Sequence, residues 1–201
     1  MLSVPDKIFA HVLFSRIDPL LQSKRRFEQP GFTPGCSTGD AILALRLLSE
    51  VHHKFSQPLH VASVDLKAAF DSLDRLALWK ALRGIGIPQY LLHLILDLHN
   101  GSTSSVRIAA MLSPSFITTS GVRQDCVLAP ALFCHAIDWI MERVCLYRRL
   151  LTDHFTDLDY ADDVALLAHA VDDLHTSLDI FETTASQLGR HNLVYMCSGR
   201  K

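Results

Sequence analysis

Tyr160-Ala161-Asp162-Asp163 sets two adjacent carboxylates between apolar runs, Phe155 to Tyr160 before them and Val164 to Ala168 after. The pattern reads as strand, tight turn, strand, with the acids at the tip. Neighbouring like charges repel, so folding alone gives no reason to build such a pair. A divalent cation reverses that balance, because hard cations prefer carboxylate oxygen. A second short apolar run, Val61-Ala62-Ser63-Val64-Asp65-Leu66, delivers another acid, Asp65. Carboxylates presented at the ends of neighbouring strands are a means of holding two Mg²⁺ ions for nucleotidyl transfer. The plain alternative for each acid is a hydrated turn residue, since Asp-Asp pairs are common.

The elements that must position these acids are legible in outline. Residues 4–22 suggest a helix through Ile8, Val12, Leu13 and Ile17. Two prolines and two glycines make 29–36 a loop. Ser37, with Asp40 three residues on, has a capping-box pattern, and Ile42, Leu45, Leu48 and Val51 give the helix that follows one apolar face. A strand over 59–66 carries Asp65. Ser72 or Asp71 is placed to cap the next helix, along which Leu73, Leu76, Trp79 and Leu82 are helically spaced and which stops at Gly84-Ile85-Gly86. Pro88 opens another helix that ends at Asn100-Gly101. Residues 104–120 read as two short strands around Met111-Leu112-Ser113-Pro114. Pro130 suits the first turn of a long helix bearing Phe133, Ile137, Ile140 and Val144. A hairpin through 155–168, a helix at 172–188 and a strand at 192–196 complete the order. Strands interleaved with helices in this way predict an α+β layer, an antiparallel sheet backed by helices.

The chain has 201 residues, 49% of them hydrophobic, enough for one sizeable core or a core with a small lobe. No uninterrupted apolar run reaches membrane-spanning length, so no membrane association is expected, and the N-terminus does not read as a signal peptide. The cysteines, Cys36, Cys126, Cys134, Cys145 and Cys197, are odd in number and form no C-x-x-C pair, which fits a reduced, intracellular protein of cytoplasm or nucleus. His52-His53 lacks partners at zinc-site spacing and reads as a solvated helix end. The net charge of −2 counts against a free-standing nucleic-acid binder. Lys24-Arg25-Arg26 and Arg148-Arg149 are local basic groups, expected as solvated faces.

Four blocks, taken together, resemble the reverse transcriptase domain of non-LTR (LINE-type) retrotransposons, in that family's order and over about residues 4–190. Gln29-Pro30-Gly31-Phe32-Thr33-Pro34-Gly35-Cys36-Ser37-Thr38-Gly39-Asp40 resembles the fingers motif, and Val64-Asp65-Leu66-Lys67-Ala68-Ala69-Phe70-Asp71-Ser72 resembles motif A. Gly121-Val122-Arg123-Gln124-Asp125-Cys126-Val127-Leu128-Ala129-Pro130 resembles motif B, and Leu158-Asp159-Tyr160-Ala161-Asp162-Asp163 resembles motif C. The resemblance implies a right-hand polymerase built of fingers and palm, with the thumb missing from the chain. It would divide into a fingers part at 1–60, a palm strand at 61–72, a helical insert at 73–115, and palm at 116–201. The implied activity is RNA-directed DNA polymerisation, in which a primer 3′-hydroxyl attacks a dNTP. The implied partners are an RNA template, a DNA primer and the dNTP, and no obligate protein partner is inferable. The implied cofactor is Mg²⁺, two ions, with Mn²⁺ as a substitute.

On that resemblance Asp65 and Asp162 bridge the metals, with Asp163 a weaker or indirect ligand, and the Leu66 carbonyl completes a coordination shell. Phe70 would sit under the sugar and exclude a 2′-hydroxyl, against the plain reading of a core phenylalanine. Arg123 and Gln124 would hold the incoming nucleotide and template, against that of a polar helix start. Asp71, Asp74 and Arg75 are expected to cap and pair, and Lys67 to face solvent. The chain departs from the family pattern at Asp125, where the family has glycine, and at Cys36, where it usually has arginine. The Lys-Thr-Lys signature expected after Leu188-Gly189 is replaced by Arg190-His191-Asn192-Leu193-Val194-Tyr195-Met196-Cys197. These departures predict impaired polymerisation. The competing expectations are an intron maturase or RNA-templated RNA polymerase on the same palm, and a non-catalytic nucleic-acid-binding remnant.

Overall fold

The computed structural model describes residues 3–123, 125–149, 156–189 and 192–200. The first helix, α1 (Val4–Gln22), starts at Ser3, whose Oγ accepts the Asp6 N–H. Its buried stripe is Ala10, Leu13, Ile17 and Leu21. Ile8 and Val12, expected inside, are exposed. Val12 lies roughly 100° around the helix from Leu13, which takes it off the stripe. In α2 (Thr38–Lys54), the Ser37 N–H and hydroxyl both donate to the Asp40 carboxylate, at 2.7 and 2.9 Å. The apolar face expected on α2 is only partly covered: Leu45 and Leu48 are half-buried, Ile42 and Val51 exposed.

Strand β1 (Leu59–Lys67) runs into a short turn of helix, α3 (Ala69–Ser72), then α4 (Arg75–Gly84). The cap of α4 is Asp74, whose carboxylate accepts the Ala77 N–H at 2.8 Å. The cap expected at Ser72 or Asp71 is displaced because α3 intervenes. Leu76 is 72% exposed and Leu78 is buried in its stead. Helix α5 (Gln89–His99) follows Pro88. Between 103 and 117 the two expected strands are two nested two-residue ladders: β2 (Thr103–Ser104) pairs with β5 (Phe116–Ile117), and β3 (Arg107–Ile108) with β4 (Met111–Leu112).

The long helix α6 (Leu128–Arg149) carries Phe133, Ile137, Ile140 and Val144, all buried. Then come β6 (Asp157–Tyr160), β7 (Asp163–Ala168), α7 (Val171–Leu188) and β8 (Asn192–Arg200). The four strands β6-β7-β1-β8 form one antiparallel sheet in that order. Ala62, Val64 and Leu66 of β1 and Val164 and Leu166 of β7 are buried on one face. Ser63 and Asp65 alternate with them on the exposed face, the pattern of a sheet wet on one side. Helix α7 packs on β1 and β7, and α6 packs on α7, α1 and α4.

The basic run Lys24-Arg25-Arg26 is not the solvated face expected from its composition. Arg26 turns inward and ion-pairs with Asp157 and with Asp159 (2.9 Å), both fully buried on β6. Burial alone would lower the Arg26 pKa, but the two aspartates carry it above its ordinary value. Arg25 donates to the Gly31 carbonyl (3.2 Å) and the Thr33 hydroxyl (3.1 Å), which shapes the 29–36 loop. The described cysteines, Cys36, Cys126, Cys134 and Cys145, are all free thiols.

Candidate active site

Three acids, two from neighbouring strands and one from the turn before β7, meet at one edge of the exposed sheet face. Asp65, near the end of β1, is the direct cross-strand partner of Asp163, the first residue of β7. Directly opposed residues of an antiparallel pair have Cα atoms about 4.5–5.5 Å apart and side chains on the same face. Asp162 is next to Asp163, in the two-residue loop that joins Tyr160 to Asp163. Asp65 and Asp163 are exposed and Asp162 is half-buried. The Asp163 carboxyl is raised above its ordinary value by partial burial first, then by the charges of Asp162 and Asp65. The smaller, electrostatic part of that elevation comes from the proximity of the three. No ion pair to any of them occurs among the described residues.

The donor set fits a hard divalent cation: every side-chain donor is carboxylate oxygen, and the accumulated negative charge has no protein cation set against it among the described residues. The three side chains are not already closed into a cage, for no group of His, Cys, Asp or Glu among the described residues surrounds an ion-sized point. Leu66 has its side chain in the core, so only its backbone is available to the site.

Backbone geometry of the acidic turn depends on a residue far away in the chain. Ala161 has φ +59°, in the left-handed region. Buried Gln29 accepts the Ala161 N–H on Oε1 at 2.8 Å and donates from Nε2 to the Ala161 carbonyl at 3.2 Å. Gln29 Oε1 also accepts the Gly31 N–H at 3.2 Å. The sequence placed Gln29 in a loop motif but attached no role to it. A polar residue with no local partner in sequence was the one available hint.

Phe70, on α3, stacks on Phe133 of α6 with ring centroids 4.6 Å apart and stays half-buried. It therefore anchors α3 to the core, whatever else it touches. Gly121 (φ +75°) lies flush against the same turn: an added Cβ would meet the Phe70 carbonyl at 2.7 Å. The Val122 N–H donates to that carbonyl at 2.8 Å. The blocks around Asp65 and around Gly121 are thus locked together. Arg123 donates to the Leu98 carbonyl at 3.1 Å and lines a polar cavity of about 400 Å³ with Asp71, Arg75, Ser120 and Asp125. Arg75 is structural, as expected, donating to the carbonyls of Gly121, His99 and Thr118 and to the Ser102 hydroxyl. Gln124 lies outside the described residues. Cys36 is exposed, just ahead of α2.

An antiparallel sheet backed by helices, with acids from its two central strands at one edge, defines the palm of a right-hand polymerase. The chain belongs to the reverse transcriptase (RNA-dependent DNA polymerase) family, whose model matches residues 1–191. It is 27% identical over 113 residues to the Pol polyprotein of the type-2 retrotransposable element R2DM of Drosophila melanogaster, covering 56% of this chain and 11% of that protein. It is 27% identical over 141 residues to the Pol polyprotein of the type-1 retrotransposable element R2 of Nasonia vitripennis, covering 69% of this chain and 14% of that protein. The chain thus spans a small part of the relatives it matches. In fold it is similar to apo telomerase from Candida tropicalis truncated from its C-terminal domain, with TM-score 0.69, 16% identity, and 94% of this chain and 40% of that chain covered. The fold class and the reverse transcriptase family expected from the four sequence blocks are therefore borne out, and both relatives named are Pol polyproteins of R2 retrotransposable elements. Reverse transcriptases generally use divalent metal ions.

Proposed function

We propose that this chain is the fingers-and-palm portion of an RNA-directed DNA polymerase, and that Asp65, Asp162 and Asp163 hold its two Mg²⁺ ions. Residues 1–60 serve as part of the fingers, 61–72 and 116–201 as palm, and 73–115 as a helical insert between fingers and palm. The observation that carries the reading is the pairing of Asp65 with Asp163 beside Asp162, three carboxylates on one wet sheet edge with no ion pair among the described residues. When bound, the ions activate the primer 3′-hydroxyl and offset charge on the dNTP phosphates. Asp65 and Asp162 hold the ions jointly, Asp163 supports them from across the pair, and the Leu66 backbone carbonyl completes a coordination shell. Phe70, fixed by Phe133, offers its free side to the sugar and disfavours a 2′-hydroxyl. Arg123 and Gln124 orient the nucleotide and the RNA template. Asp125, on the wall of the polar cavity, sets a negative charge where an anionic substrate would approach and slows extension.

The test is Mn²⁺ titration of the purified chain, followed by extension of a DNA primer on RNA with dNTPs and Mg²⁺. Binding is expected, lost in Asp65→Asn and Asp162→Asn, with slow extension that Asp125→Gly speeds and with dNTPs preferred to rNTPs. Wild-type protein that takes up no Mn²⁺, or extension untouched by Asp162→Asn, overturns the reading.

A further inference from the structure

Gln29 turns both ends of its side-chain amide on backbone: both main-chain polar groups of Ala161 and the N–H of Gly31 end on it. It is 1% exposed, so water does not compete for these bonds. The residue it grips is the one whose conformation is unfavourable, since alanine at φ +59° crowds its Cβ against its own carbonyl. Left alone, Ala161 would relax out of that region. The next two residues are Asp162 and Asp163, and their directions follow from the backbone angles at Ala161. Gly31 closes the other side. A Cβ there would lie 2.5 Å from the Ala161 nitrogen, so loop and turn are in direct backbone contact. The loop has supports of its own, in the Arg25 bonds to Gly31 and Thr33. Loss of the Gln29 amide therefore releases the turn before it releases the loop.

We propose that Gln29 is a positioning residue: it holds Ala161 in the left-handed conformation and so aims Asp162 and Asp163 at the edge where Asp65 stands. The proposal rests on the reading that these carboxylates bind the cation. Its consequence is that a side chain on the fingers side, 132 residues away along the chain, sets the metal affinity of the palm.

Gln29→Met keeps the volume and removes every hydrogen bond. Gln29→Glu keeps the two acceptor contacts, loses the donor to the Ala161 carbonyl, and brings a charge. Both are compared with the wild-type chain by circular dichroism, Mn²⁺ titration, and amide exchange at Ala161. Gln29→Met should stay folded, bind Mn²⁺ at least tenfold more weakly, and exchange the Ala161 amide at least tenfold faster. Gln29→Glu should fall between. Adding Ala161→Gly to Gln29→Met should recover melting temperature, because glycine tolerates the turn, yet leave Mn²⁺ binding weak, which a merely structural role would not do. A folded Gln29→Met with wild-type Mn²⁺ affinity overturns the proposal. Should Gln29→Met not fold, wild-type affinity in Gln29→Glu does the same. The metal reading fails separately, through a wild-type chain that binds no Mn²⁺. In that event unchanged Ala161 exchange in Gln29→Met would defeat the clamp as well, and accelerated exchange would uphold it.

Discussion

Asp138→Asn should make this protein more stable, increasingly so as pH rises from about 4 to about 7. Asp138 sits on α6 at 1% exposure, and neither carboxylate oxygen has a well-formed hydrogen bond among the described residues, though the Arg26 backbone N–H lies close enough to favour ionisation somewhat. Arg26 and Arg25 lie near it, and so does Glu142, whose charge opposes ionisation. Burial dominates and pushes the Asp138 carboxyl from 3.8 up to about 7. Such a group is protonated in the folded protein where it is ionised in the unfolded chain. The folded state binds the extra proton between about pH 4 and 7, so stability falls as pH rises through that window and levels off above it. Each tenfold change in proton affinity is worth about 1.4 kcal/mol, so the full penalty is on the order of 4 kcal/mol at alkaline pH and under half of that at pH 5. Asparagine has nearly the same shape and does not titrate. Its advantage over aspartate should therefore grow by about 2.5 kcal/mol between pH 5 and pH 8. For a domain of this size that is roughly 5–10 °C in Tm. Any fixed cost of burying the amide moves the whole difference but not its slope. Asp163 also has a raised carboxyl, but it is present in both proteins and cancels. Asp159 does not cancel: ionised Asp138 helps to raise its carboxyl, so the variant relieves Asp159 as well and the slope steepens in the same direction. Paired urea melts across pH 5–9 make the measurement. A wild-type-minus-variant difference that is flat with pH would refute the reasoning.

Two further substitutions probe the frame around the acids. Gly121→Ala puts a methyl 2.7 Å from the Phe70 carbonyl and 2.8 Å from Asp71, both backbone, at φ +75°. A loss of about 2 kcal/mol or more is expected in urea unfolding, and wild-type stability would contradict the close packing of the two blocks. Arg75→Lys replaces a planar fork serving four acceptors by a single ammonium. Its urea midpoint should fall by the equivalent of about 2–4 kcal/mol with unchanged slope, and a loss below about 0.5 kcal/mol would mean that the fork is not holding α5 to the 118–121 segment.

The parts of the fold that were legible in sequence are those with short-range causes. Strand alternation exposed β1 and the β6–β7 hairpin, and proline and glycine marked the ends of α4, α5 and α6. The acids were legible because their spacing within each block is local and only their meeting is not. Faces were harder. Ile8, Val12 and Leu76 fit a helical period as well as the residues buried beside them, and only the neighbouring elements decide which stripe turns inward. Arg26 could not be read because the carboxylates that draw it into the core, Asp157 and Asp159, are on another strand. Gln29 shows the same limit: its partner is a backbone, and a backbone has no sequence signature. Gln124 lies outside the described residues.

Among the described residues, strand β1 pairs only with β7 and β8, both from the last part of the chain. Until ribosomal synthesis has passed residue 168, its backbone has no sheet neighbour, and its apolar Ala62, Val64 and Leu66 have no α7 to rest on. Such non-local pairing delays folding and leaves sticky edges open while it waits. Premature termination anywhere before β7 would thus yield an aggregation-prone product rather than a smaller working one.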